Sequence, residues 1–71
     1  MQFDHSKLLG RIIEKFGSQR ALCAHIGWTE SKLSARINNL VQFDADEIYL
    51  LAGKDVLDIP DDEIHIYFFA L

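Results

Sequence analysis

The sequence predicts an all-α fold, a compact bundle of four to five helices forming one domain over residues 1–71. Three observations predict it. Apolar residues recur at three- and four-residue spacing along most of the chain, the period of a helix with one buried face. Residues that start or stop helices punctuate that period: Asp4, Ser18, Thr29 and Asp44 as caps, Gly17 and Gly27 as ends. Finally, 49% of the residues are apolar, too many for a disordered chain, while 71 residues allow one domain and no more. A core of this size is marginal unless it is well packed or shared with a second copy.

The first helix is expected to start after Asp4, because Phe3, Asp4 and Leu8 have the spacing of a hydrophobic staple around a cap. Leu8, Leu9, Ile12, Ile13 and Phe16 form its apolar stripe, Lys7, Arg11 and Lys15 repeat at four on another face, and Gly17 ends it. Gly10 inside this helix costs about 1 kcal/mol against alanine, a cost that close approach of a neighbouring helix would explain.

Ser18 to Asn39 then reads as two short helices joined by a tight turn. Ser18 caps the first, Leu22 and Ile26 share one face, and Gly27 supplies a left-handed residue. Thr29 caps the second, whose Leu33 and Ile37 are again four apart, and Trp28 and Leu33 have staple spacing. The rest of that second helix, Glu30, Ser31, Lys32, Ser34, Ala35 and Arg36, is short, polar and partly cationic. Such a face suits water or a nucleic-acid groove. Helix, glycine turn, polar helix is the plan of a helix-turn-helix, whose second helix enters the major groove.

After a loop at NNLVQ, Phe43, Asp44, Glu47 and Ile48 give a staple and a capping box together. Ile48, Leu51 and Ala52 face inward, and the helix ends at Gly53 or runs on toward Val56 and Leu57. Pro60 suits the first turn of a last helix, with Asp61, Asp62 and Glu63 at the positive end of its dipole. The tail IHIYFFAL fits helix or strand; the start signals favour helix.

Gln19, the small Cys23, Gly27, the apolar residue at 28, Thr29, Leu33 and Asn38 resemble the helix-turn-helix of Cro and phage-repressor proteins. The flanking FDHSKLLGRIIEKFGSQ, FDADEIYLL and IPDDEIHIYFF are similar to the small Cro-like regulators of phages and prophages of Gram-positive bacteria. Two departures stand out: Cys23 where alanine is usual, and AGKDVLDIP, longer than the usual link. The resemblance implies a lambda-repressor-like domain with its motif at 18–39, binding double-stranded operator DNA as a dimer. It implies that Gln19 binds phosphate, and that Thr29, Glu30, Ser31, Lys32, Ser34 and Ala35 face the groove. Arg36, Asn38 and Asn39 fit backbone contacts, which position a protein without reading sequence.

Net charge is −4 but is unevenly divided. Residues 1–42 carry six cations against three acids, a net of +3; residues 43–71 carry Lys54 against eight acids, a net of −7. The basic half holds the expected reading helix, and the acidic half should lie away from phosphate. One cysteine cannot form an internal disulfide, and Cys23 reads as small core filler. His5, His25 and His65 lack metal-ligand spacing and read as surface histidines. No catalytic motif or phosphate loop is present, so neither an enzyme nor a cofactor or metal is expected. With no membrane-length apolar run and no signal-peptide pattern at MQFDHSK, a cytoplasmic setting is expected. Tyr67, Phe68, Phe69 and Leu71 exceed what one helix of so small a domain hides; they either cover the core or form a weak dimer surface.

Two functions follow. One is a Cro-like repressor on operator DNA. The other is an antirepressor or protein-interaction module that keeps the fold but binds another regulator, such as a phage repressor.

Overall fold

A computed structural model describes residues 2–71. Five α-helices follow in order: α1 (Ser6–Phe16), α2 (Gln19–Ile26), α3 (Glu30–Ile37), α4 (Ala45–Ala52) and α5 (Ile64–Phe68). A single 3-10 turn, Asp61–Glu63, leads into α5. The described residues contain no strand, and the ambiguous tail is helical over Ile64–Phe68. None of the helices is long and apolar enough to cross a membrane.

Local chemistry sets most of the boundaries. Ser18 accepts a hydrogen bond from the Ala21 amide, Thr29 from Lys32 and Asp44 from Glu47, so three helix starts are held by the expected side chains. The Glu47 carboxylate returns to the Asp44 amide and completes a capping box. Gly17 and Gly27 end α1 and α2 at φ +85° and +78°, a region that strains any residue bearing a Cβ. The start of α1 differs from expectation by one residue: Asp4 bonds the Ser6 amide, and His5 occupies the cap position.

Helix α1 packs on α2 and α5, α2 on α3, and α4 on α5. The core gathers Leu8 and Ile12 of α1, Leu22 and Cys23 of α2, Leu33 of α3, Ile48 and Leu51 of α4, and Phe68 of α5. Burying each of the larger apolar side chains contributes about 1.5–3 kcal/mol. Burial also pushes the Cys23 thiol up from its ordinary range, in keeping with a filler rather than a reactive group.

The long link after α4 is an ordered part of this core. Helix α4 stops at Ala52, and the link turns through Asp58 at φ +52° with Leu57 and Ile59 buried on either side. Arg11 reaches across from α1 to donate to the Leu57 and Asp58 carbonyls at 2.8 Å each.

His5 departs from the expected surface position and is buried. Its Nδ1 donates to the Ile37 carbonyl at 2.9 Å, and its ring meets Phe43 edge to face. A histidine so placed seals the end of α3, which otherwise exposes unpaired carbonyls. The expected close neighbour of Gly10 is absent as well: a Cβ built there would meet nothing within 4 Å.

Candidate functional site

The face expected to read DNA is built by α2, its glycine turn and α3. Successive residues of a helix are 100° apart, so Glu30, Ser31, Ser34 and Ala35 share one side of α3, while Lys32 and Arg36 lie on nearly the opposite side. Leu33 between them is fully buried. The structure follows this division. Glu30, Ser31, Ser34 and Ala35 line a shallow groove with Gln19, the first residue of α2, and Leu40, which is 79% exposed. Glu30 is the one charged side chain among these lining residues.

The cations of α3 point instead toward Trp28 and α4. Arg36 donates from Nε and Nη2 to the two Glu47 carboxylate oxygens at 2.8 and 2.9 Å, a bidentate pair. Its Nη1 donates to the Lys32 carbonyl at 3.0 Å. The Lys32 ammonium lies 3.8 Å from the same Glu47 carboxylate and 4.3 Å from the centroid of the Trp28 ring; the Arg36 guanidinium lies 5.6 Å from that centroid. Trp28 is half-buried and combines packing against the core with an attractive face for both cations. The Arg36 guanidinium holds the Glu47 carboxyl below its ordinary range, and the carboxylate in turn pushes the Arg36 group up.

The two asparagines after α3 also turn inward or locally. Asn38 Nδ2 donates to the carbonyl and hydroxyl oxygens of Ser34. Asn39, at φ +64°, accepts from the Phe3 amide at 3.0 Å and donates to the Phe3 carbonyl at 2.9 Å, which ties the N-terminal segment to the end of α3. Thr29 is exposed, its hydroxyl held by the Lys32 amide. Of the residues expected at DNA, Gln19, Glu30, Ser31, Ser34 and Ala35 therefore share one open face. Lys32, Arg36 and Asn39 are engaged within the chain. Glu47, absent from that expected set, is the residue that organises the site; its capping-box spacing marked it as a helix start and gave no sign of its second role.

At the C-terminus Phe68 is 1% exposed and packs edge to face on Phe43, so it belongs to the core of its own chain and not to a surface. Tyr67 is half-buried against that core. Phe69 meets Phe3 edge to face and stays 46% exposed, and Leu71 is 84% exposed. Phe69 and Leu71 are the most exposed of the four.

These features define a small all-helical protein whose most polar helix has one of its two cations, Arg36, paired from within by Glu47, with the other, Lys32, beside it. The chain belongs to the family described as "Protein of unknown function (DUF739)", which matches residues 1–70. It is similar to the modulator of repression (MOR) of the temperate bacteriophage TP901-1 from Lactococcus lactis, known from a solution structure. The two are 36% identical, with a TM-score of 0.82 over 97% of this chain and 90% of that one. No curated protein matches the chain.

Proposed function

We propose that this chain is a small phage regulator without catalytic activity that acts on repression by binding another regulator protein. The observation that carries this reading is the engagement of Arg36 and Lys32 by Glu47. DNA affinity comes largely from lysine and arginine neutralising phosphate. A recognition helix whose arginine is held bidentate by a carboxylate of the next helix, with its lysine drawn toward the same carboxylate, contributes less of that term. The groove beside it presents Glu30 to any phosphate, which repels. Likeness to a phage modulator of repression supports the same direction.

A Cro-like operator binder is the second reading. It is favoured by the helix–glycine turn–helix geometry, by Gln19 at the start of α2, and by the exposed Lys7, Lys15 and Arg20 of the basic half. In this reading Gln19, Thr29, Glu30, Ser31, Ser34, Ala35 and Asn38 meet double-stranded DNA, and Phe69 with Leu71 holds a weak homodimer.

Isothermal titration of the chain into the repressor of a phage or prophage that carries its gene tests the first reading. Saturable heat with a fixed stoichiometry is expected. Absence of binding to that repressor, together with specific binding to its operator, overturns it.

A further inference from the structure

A second face of the molecule, sharing no lining residue with the α3 groove, fits a partner. On α4, Asp46, Tyr49 and Leu50 fall on one side by helical geometry. Tyr49 is 67% exposed and Leu50 42%. Tyr49 forms one wall of an open cleft whose other wall is the link, with Lys54, Asp58, Ile59, Pro60 and Asp61. The link wall is firm, because Arg11 holds its Leu57 and Asp58 carbonyls and Ile59 is anchored in the core.

The charge at this cleft is mainly acidic: Asp58 and Asp61 outnumber Lys54 in its lining, and Asp46 and Asp62 lie on the neighbouring surface. Residues 43–71 carry a net of −7, and among the described residues Glu47 is the one acid of that segment in an ion pair. Asp46, Asp58, Asp61 and Asp62 are all exposed. Exposed aromatic surface beside a surplus of acids that make no ion pair adds little to the stability of this chain. It suits a partner that brings an apolar side chain for the cleft and cations for its rim. Complementary charge of this kind gives selectivity and faster encounter, both weakened by salt, and tyrosine is enriched among residues that dominate binding.

We propose that the Tyr49 cleft is a docking site for a basic protein segment, one carrying lysine or arginine beside an aliphatic or aromatic anchor. The inference rests on the reading of this chain as a regulator that binds another regulator, and it names the surface. Operator-binding regulators supply the complementary charge, since they carry basic residues to neutralise phosphate.

The test is titration of the full-length chain and its variants with the same repressor at low and high salt. Tyr49→Ala should weaken binding about tenfold or more, as expected for a central anchor. Asp58→Asn combined with Asp61→Asn should weaken it severalfold at low salt and flatten its salt dependence; asparagine tolerates the positive φ at position 58. Circular dichroism verifies that each variant is folded. Repressor binding that none of these changes alters overturns the inference and leaves the parent reading standing. If the wild-type chain binds no repressor and instead binds its operator specifically, the parent reading fails. The cleft is then tested alone with a synthetic lysine–leucine peptide, followed by amide chemical shifts. Shifts centred on α4 and the link support the site, and their absence or scatter overturns it.

Discussion

Arg36 and Glu47 meet through two parallel hydrogen bonds of 2.8 and 2.9 Å, and the same carboxylate accepts from the Asp44 amide at 3.1 Å. One side chain thus starts α4 and fixes the charged side of α3. Removing its charge should separate the two roles. Glutamine at position 47 can still reach back to the Asp44 amide, since capping boxes use either residue. Glu47→Gln should therefore cost about 1.5–3 kcal/mol, the range for hydrogen bonds to charged groups, read as a lower urea midpoint with an unchanged m-value. It should also raise non-specific DNA affinity at low salt by releasing Arg36 and Lys32.

The acid limb of stability should trace to the same residue. The folded state holds the Glu47 carboxyl below its ordinary range through Arg36, so folding favours the ionised form. That contribution is complete above the unfolded glutamate value and is lost as pH falls through the lowered folded one. Urea midpoints measured from neutral pH downward should fall across that window. The fall should be smaller in Glu47→Gln, which has no proton to take up there.

Gly10 offers a change in the other direction. It lies inside α1, exposed, with room for a methyl group. Gly10→Ala should stabilise the fold by about 0.5–1 kcal/mol through helix propensity and a less flexible unfolded chain, seen as a raised melting temperature.

Phe68 and Phe69 are neighbours with opposite surroundings, and substitution should separate them. Phe68→Ala empties a filled core position and should cost about 3–5 kcal/mol, much of the stability of a domain this small. Phe69→Asp loses one edge-to-face contact with Phe3, worth about 0.5–1.5 kcal/mol, and should keep its helical circular dichroism. Any self-association through Phe69 and Leu71 should vanish in Phe69→Asp, as measured by sedimentation.

How far the sequence made this legible depends on the reach of each interaction. Ser18, Gly27, Thr29 and Asp44 act on backbone three or four residues away, so their signals could be read along the chain and the helix boundaries follow them. The Arg36–Glu47 pair joins two helices across a loop, and nothing in the spacing of eleven residues announces it. His5 and Asn39 find partners 32 and 36 residues away, so a histidine that looked exposed is buried and an asparagine that looked suited to phosphate ties down Phe3. At the C-terminus α5 has only five residues, too few for periodicity to tell Phe68 from Phe69. The link at residues 53–60 is longer than usual, and Leu57 and Ile59 in it fill the core, which no local spacing announces.

The most direct measurement is the affinity of the chain alone for duplex DNA from upstream of its own gene, by fluorescence anisotropy over a range of salt. Each phosphate neutralised adds about −0.9 to the slope of log affinity against log salt. With the α3 cations engaged by Glu47, the predicted result is weak binding without sequence preference, its shallow slope set by the few exposed lysines and arginines. Sequence-specific binding with a slope of around −5 to −7, as three to four phosphate contacts from each of two subunits would give, would contradict the proposal and establish the chain as an operator-binding protein.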